Sequence, residues 1–586
     1  YYASRGLGDV YKRQDYNRVR MTRMFSTGYA AIEPVKGLKL KETLSYDYTI
    51  QKDSRYYNPL SSAGPKSGSD AQTAKGFIEY GKLISSTSLN YVHTFAHKHH
   101  LNVLAAYEIE SYQTDHASGE KSKLPSDKLT EPDNAAVLNS FKSATQAYRM
   151  ISYLSRLNYD YDDRYYIAGS YRRDGSSRLS PNNRWGNFWS VSGMWHLGNE
   201  NFMKAVKPVL SDVKIRASYG VNGNQPGSYY GYKGLYSYGE NYMEAAGSYE
   251  SSQPNDLLTW EKNYSLNLGI DLSFINRIFA SLEYYNRDTK DLLYSLPISA
   301  TTGFTSYLSN IGRLNNKGIE FELRTLNVVS NDFNWTSVFN LSHNRNKIVS
   351  LNGLLDQTIE GTWFIHKVGL PYHTFYVKEF AGVDPQTGYA QYYLNTKNED
   401  GSYNRELTTD ADKAESIPYK TATPKVSGGF TNILNYKWID LTFTLTYSLG
   451  GYSFDKLGTY IENGTSSIYS SRYNLPAYMM NRWQNPGDQT DIPRFVYNES
   501  ATSTNSSRYI HSTDHLRLKN FTLGFTLPNQ WTQKLMIDKV RIYFSGNNLL
   551  TWAKWKQYDP ETPVNGEVFC EAPAMRTFSF GAQLSF

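Results

Sequence analysis

Apolar and polar positions alternate with a period of two along nearly the whole chain. The cleanest run is Ile439 to Leu449, where Ile439, Leu441, Phe443, Leu445, Tyr447 and Leu449 alternate with Asp440, Thr442, Thr444, Thr446 and Ser448. Tyr264 to Phe274 repeats the pattern, with Leu266, Leu268, Ile270 and Leu272 set against Ser265, Asn267, Gly269, Asp271 and Ser273. Val540, Ile542 and Phe544 alternate with Arg541, Tyr543 and Ser545, and the chain closes with Phe578, Phe580, Ala582, Leu584 and Phe586 against Ser579, Gly581, Gln583 and Ser585. A period of two sends successive side chains to opposite faces, so each run predicts a strand with one apolar and one small, polar face.

The runs are about nine to fifteen residues long, whereas soluble strands average about five or six and a tilted bilayer-crossing strand needs about nine to eleven. A soluble sandwich would turn the apolar face toward a second sheet. The length, and the Ser, Thr, Asn and Gly of the other face, favour a barrel with lipid outside and water inside. About nineteen strands are expected. Their connections alternate: short near 33–37, 95–99, 161–164, 199–210, 274–276, 327–332, 384–388, 435–437 and 528–536, long near 53–73, 113–141, 174–186, 221–258, 289–309, 351–373, 396–422, 450–513 and 551–573. Short periplasmic turns alternating with long extracellular loops mark an outer-membrane barrel, and a propeller or sandwich has no reason to keep that parity. The expected fold is therefore all-β, an antiparallel transmembrane β-barrel. A phase slip between Leu516/Leu518 and Phe521/Leu523/Phe525/Leu527 predicts a β-bulge near Lys519–Phe521.

The first strand, near Tyr16–Ala31, runs into a short turn. Bacterial barrels normally have an even strand count with both termini in the periplasm, so an odd number of strands is expected upstream. If the whole is of the roughly 22-stranded, plugged class, about three strands and the plug are absent here. Ala3 to Gln14 shows neither period and resembles the translated read-through of a sequencing adapter. The expected organisation is thus a non-native leader, 1–14, followed by a partial barrel, 15–586.

Composition narrows the classes. Aromatic residues make up 15% of the 586, and 51 of them are Tyr, which suits strands and wet interfaces. No apolar run approaches the roughly 18 residues of a membrane helix, and the mean hydropathy is -0.58. The lone Cys570 excludes a disulfide framework, and a formal charge of +6 is too mild to imply nucleic acid.

Little of the chain looks catalytic. Asp174-Gly175-Ser176-Ser177 reads as a turn, since Asp accepts local backbone bonds and no histidine lies nearby in sequence. Gly223–Gln225 reads as a loop entry rather than a phosphate cradle, because no helix follows. His93, His97, His99 and His100 cluster at a short turn without a carboxylate or thiolate, so solvated turn residues are expected rather than a metal site. Trp185, Trp189, Trp195, Trp260, Trp335, Trp438, Trp552 and Trp555 fall at or near strand ends, as an aromatic girdle requires. Trp363 and Trp555, in or beside long loops, are left as candidates for substrate stacking. So are Tyr229, Tyr230, Tyr232 and Tyr242, in a loop where ring stacking and adaptable hydrogen bonds would suit a polar ligand.

Several segments carry a family resemblance. Tyr171-Arg172-Arg173-Asp174-Gly175-Ser176-Ser177-Arg178 with Asn183-Arg184-Trp185-Gly186, Lys214 to Gly220 with Gly223-Asn224-Gln225, and Leu258-Thr259-Trp260-Glu261-Lys262 occur in that order. Tyr284 to Leu293, Asn310-Ile311-Gly312 with Asn316 to Glu320, Leu516 to Gly524, Ser545 to Leu549 and Tyr558-Asp559-Pro560-Glu561 follow. In this order they resemble SusC/RagA-type TonB-dependent outer-membrane transporters, from about Tyr16 to Phe586. The resemblance implies import of an oligosaccharide or peptide across the outer membrane, with no cofactor and no enzymatic activity. It implies a SusD-like lid lipoprotein as partner, and TonB acting through an N-terminal region not in this chain. Phe578, Phe580, Leu584 and Phe586 would form the C-terminal membrane-insertion signal. The long loops Val221–Leu258 and Gly450–Thr513 would meet the lid and the substrate. A passive porin or adhesion barrel is the alternative.

Overall fold

The computed structural model describes residues 15–59, 70–126, 128–351, 357–360, 363–462, 475–496, 505–532, 537–561 and 565–585. The expected leader, 1–14, and Phe586 lie outside them. The chain divides into two compact units: Tyr1–Gly193, Gly220–Asn263 and Asp291–Ile311 form the first, and Met194–Tyr219, Tyr264–Lys290 and Gly312–Phe586 the second.

In the first unit, strands β1 (Tyr16–Val35), β2 (Leu38–Tyr57), β3 (Gln72–Phe95), β4 (His99–Ser122), β5 (Val137–Tyr161) and β6 (Tyr165–Ser176) pair antiparallel in chain order. β3 to β5 are 24, 24 and 25 residues long, well beyond what a bilayer crossing needs, so their outer ends project past it as a wall for the loops. The turns after β3 and β5 each place two consecutive residues at positive φ, Ala96–His97 and Asp162–Asp163. That geometry matches the right-handed twist of a hairpin. Two of the histidines beside the first of these turns make ring and hydroxyl contacts. His93 stacks between Tyr91 and Phe95, each at 5.8 Å, and His99 Nδ1 lies 2.8 Å from the Tyr159 hydroxyl. Among the described residues no group of His, Cys, Asp and Glu could hold a metal ion.

The strands β7 (Trp185–His196), β8 (Leu210–Asn224) and β9 (Glu261–Phe274) follow. In the second unit β10 (Ile278–Lys290), β11 (Arg313–Val329), β12 (Phe333–Ser350), β13 (Val426–Tyr436), β14 (Ile439–Leu449), β15 (His515–Thr526), β16 (Lys539–Ala553) and β17 (Thr577–Ser585) again pair antiparallel in chain order. The expected bulge is present. Thr444 pairs with Asn520 and Leu445 with Leu518, so Lys519 opposes no residue, and the β15–β16 ladder shifts at the same place. The extra residue restores one face to the apolar side and aims Lys519 at Glu561, 2.7 Å away.

Each ladder keeps its apolar side chains on the exposed face. Leu282, Ile319, Leu523 and Ile542 are exposed. The opposite face carries ion pairs and amides: Arg541 grips Asp440 with two bonds, of 2.8 and 2.5 Å, Arg216 meets Glu283 at 2.9 Å, and the Tyr285 hydroxyl donates to Asn344 at 3.0 Å.

Seventeen long strands are present among the described residues. Two of the expected strands, on either side of 384–388, are instead the four-residue Phe380–Val383 and Ala390–Tyr393 of a small three-stranded sheet, within the connection from β12 to β13. Both are genuine strands, but four residues cannot cross a bilayer. The Asp384 carboxylate closes their turn by accepting from the Gln386 amide (2.9 Å) and the Thr387 hydroxyl (2.6 Å). The expectation of about three absent strands rested on the larger count.

Candidate functional site

In the first unit the recurrent motifs build a frame for the loops. Arg172 donates to Asp174 at 2.7 Å and to the Ser152 hydroxyl at 2.9 Å. The Ser176 hydroxyl donates to Gln225 at 2.6 Å, and the Ser177 hydroxyl accepts from the Arg149 amide at 2.9 Å. The expected turn begins later: Asp174, Gly175 and Ser176 end β6, paired with Ser152, Ile151 and Met150, and the chain turns only from Ser177, while the side chains of the motif fasten neighbouring segments. Gly223 is glycine because the Phe188 ring lies where a side chain would begin, 2.3 Å from a Cβ placed there. Trp260 stands edge-on to that ring, 5.3 Å away, and its indole N–H donates to the Arg184 carbonyl at 2.9 Å. Asn310 brackets the next loop, donating to the Thr259 and Asp291 carbonyls and accepting from the Thr259 amide.

Above this frame lies an aromatic cluster. Tyr112 and Tyr148 are direct cross-strand partners on β4 and β5, and Tyr229 stacks on Tyr148 at 5.6 Å and leans on Tyr112 at 6.0 Å. The Arg178 guanidinium lies over both Tyr148 (4.0 Å) and Tyr229 (4.5 Å). The Pro226 and Gly227 carbonyls hold it there. The Tyr148 hydroxyl donates to Glu110, which also meets Lys82 at 3.0 Å. Tyr230 sets an edge against Tyr229, and its hydroxyl accepts from the Ala147 amide. Tyr232 packs elsewhere, against the buried Leu179, Phe188, Leu258 and Trp260. Tyr242 is 74% exposed, on the hairpin formed by Leu235–Tyr238 and Ser248–Ser252. Four candidates from one loop therefore occupy three environments: a stacked cluster, a core and an open hairpin. Tyr112, Tyr148 and Arg178 were not among the sequence candidates. Strand register alone unites the two tyrosines, 36 residues apart as 148 minus 112.

In the second unit the long connections pack into a module around Phe375, Val377, Phe454, Tyr509 and Ile510. Trp363 stacks on Phe454 at 4.8 Å, with the Lys456 ammonium over it at 5.0 Å. Trp555 is buried, stacked on His511 at 4.7 Å and Tyr558 at 5.6 Å. Both tryptophans thus hold loops together. Asp455 caps the short helix α1 (Lys456–Ile461) by accepting from the Gly458 amide at 2.8 Å, and burial pushes its carboxyl up to about 6. Burial pushes His366 down to about 4, and His511 to about 4 as well, with Arg508 adding to the latter.

These shifts oppose one another. Each histidine takes up its proton first in the unfolded state, so its contribution is present above pH 6.5 and lost as pH falls toward 4. Asp455 takes up its proton first in the folded state, so it stabilises as pH falls through about 6. Two histidines outweigh one carboxylate, and the module is expected to loosen by on the order of 2 kcal/mol between pH 7 and 5. Faster amide exchange at 452–462 and 510–512 at pH 5 than at pH 7, after correction for intrinsic rates, is the expected reading. Asp455→Asn, which keeps the cap but not the charge, removes the opposing contribution and steepens the loss.

Residues 1–549 match the model of the TonB dependent receptor-like β-barrel family. The chain belongs to that family. It is 30% identical to TonB-dependent receptor P3 of Formosa agariphila, across 95% of this chain and 57% of the relative. It is 32% identical to TonB-dependent receptor SusC of Bacteroides thetaiotaomicron, across 78% of this chain and 45% of the relative. The solved RagAB peptide transporter superposes with a TM-score of 0.88 at 27% identity, covering 99% of this chain and 63% of that one. The SusC/RagA resemblance of the motifs therefore stands. The chain spans about half the length of the curated relatives.

TonB-dependent receptors are outer-membrane transport barrels, and the relatives are receptors and transporters rather than enzymes. In a barrel of this family the exposed apolar faces meet lipid and the ion-paired faces line the lumen. Phe578, Phe580 and Leu584 stand exposed on β17, as lipid-facing side chains do. Trp185, Trp195, Trp335, Trp438 and Trp552 are exposed near strand ends, in keeping with a girdle, whereas Trp189 is exposed within β7. Trp260 and Trp555 depart from that expectation, being 3% and 4% exposed.

Proposed function

We propose that this chain is the barrel part of an outer-membrane nutrient importer that takes up oligosaccharides or peptides. Energy would reach it through TonB, and a SusD-like lipoprotein would cap its outer face. The observation that carries the reading is the superposition on the RagAB peptide transporter across 99% of the chain. That complex has been solved as a peptide importer in closed-closed and open-open states. Substrate would meet the half-buried rings of Tyr229 and Tyr230, with Tyr112 and Arg178 beside them, since flat rings and a fixed guanidinium suit both sugar rings and peptide groups. The hairpin carrying Tyr236, Tyr238 and Tyr242 would face the lid. Tyr232, Trp363 and Trp555 would hold these surfaces in place. Conductance of the intact gene product in a planar bilayer tests the reading against a passive porin. An importer is closed until its plug is removed, whereas a porin conducts at once.

A further inference from the structure

The outer ends of β10, β11 and β12 carry a basic patch on the wrong face for substrate. Arg313, Lys317, Arg345 and Lys347 line a depression of about 360 Å³ with Asn315 and Val349. Register places them together: Lys317 pairs with Arg345, Asn315 with Lys347, and Arg313 lies opposite Lys290. Arg313 is bound to Asp288 at 2.7 Å. Among the described residues no ion pair is formed by Lys317, Arg345 or Lys347. Like charges opposite each other on a sheet are unfavourable, so clustering them costs stability unless an anion shares them.

Strand alternation fixes the direction they face. Arg313, Asn315 and Lys317 continue into Ile319, Phe321 and Leu323, while Lys347 and Arg345 continue through His343, held 2.7 Å from the Lys425 carbonyl, into Leu341 and Phe339 on the paired strand. That is the lipid-facing side, and Glu320, Glu322 and Asn344 lie on the other. Lys317 to Phe321 is four residues, about 13 Å along a strand. The cations therefore stand on the outer surface above the apolar band, beside Val368 of the connection that follows β12. Asn315, hydrogen-bonded to Asn286 at 2.7 Å, and the exposed Tyr284 fill the step between charge and hydrocarbon.

We propose that this patch binds the phosphorylated headgroup of an outer-leaflet glycolipid of the lipid A class. Its phosphates sit among Lys317, Arg345 and Lys347, and its acyl chains run down the face of Ile319, Phe321 and Leu341. A free anion would satisfy the charges but has no use for the apolar side chains of Ile319, Phe321 and Leu341 beneath them. A soluble substrate would have to bind on the side facing away from the lumen.

The test uses the protein extracted from outer membranes in mild detergent, compared with the triple variant Lys317→Gln/Arg345→Gln/Lys347→Gln. Binding is read in neutral-lipid nanodiscs doped with bisphosphorylated lipid A, dephosphorylated lipid A or neither, and against inorganic phosphate as competitor. Each lost cation near an anionic surface weakens binding roughly fivefold, so the triple variant should bind bisphosphorylated lipid A about a hundredfold less tightly. Dephosphorylated lipid A should bind no better to the native protein than to the variant. Equal binding by native and variant protein would overturn the proposal. So would competition by inorganic phosphate at the affinity of the lipid, which would make the patch a free-anion site, or loss of a co-purifying protein with lipid binding unchanged. The charge-preserving Lys317→Arg/Arg345→Lys/Lys347→Arg variant should bind as the native protein does, and retention of heat-resistant migration verifies that both variants fold.

Discussion

Replacing Arg517 by methionine will free the connection between β16 and β17. Arg517 is 3% exposed and bonds to Asp559 and, at 3.0 Å, to Glu561, while Lys519 reaches Glu561 from the bulge. Asp559 also accepts from the Glu561 and Ala574 amides, so one carboxylate ties both arms of the connection to the barrel wall. Burial alone would raise that carboxyl, but the two amides and Arg517 hold it below the usual carboxylate range. Methionine fills similar volume and leaves the buried Asp559 carboxylate without its cation, while Glu561 keeps Lys519, a change that costs about 3–5 kcal/mol when the partner stays buried. Limited proteolysis should cut within 554–576 in the variant and leave the native connection intact. Asp559→Asn, which keeps an acceptor for the amides, should cost less. Adding it to Arg517→Met should cost less than the two single changes together. Additivity would mean the pair does not couple.

Trp260→Ala should be comparably severe in the first unit. It deletes a buried ring packed on Phe188 and leaves the Arg184 carbonyl without its donor. Large-to-small changes of this kind cost about 3–5 kcal/mol. Gly186 and Gly223 both crowd the Phe188 ring, so the cavity has little backbone slack with which to close. The temperature at which the heat-resistant barrel form is lost should fall markedly for Trp260→Ala, and by much less for Trp552→Ala, whose ring is exposed at the end of a strand. An equal fall for both would deny Trp260 its place in the frame.

Both residues belong to segments whose family resemblance is legible in the sequence, although their contacts are not. Tyr558 to Glu561 and Leu516 to Gly524 are distant in sequence, and only pairing across β15 and β16 brings Arg517 to Asp559. The bulge at Lys519 is legible because a phase slip of one residue flips a whole face, and a buried or lipid-facing surface penalises that at every position. Trp260 and Trp552 look alike in sequence, since a tryptophan near a strand end reads as girdle whether lipid or protein covers it. The strands at 380–383 and 390–393 are genuine strands, and at four residues each they are too short to cross a bilayer. Tyr229 is legible as a loop aromatic, whereas its partners Tyr112 and Tyr148 sit mid-strand among many tyrosines and only register singles them out.

The central claim is that this barrel belongs to an energised importer rather than an open pore. Uptake by cells carrying the intact gene, measured with labelled oligosaccharide and peptide mixtures, tests it most directly when repeated without TonB or after collapse of the proton-motive force. Saturable uptake of one of the two classes, falling to background when the energy source is removed, is the expected result. Uptake that continues unchanged and rises linearly with concentration would contradict it.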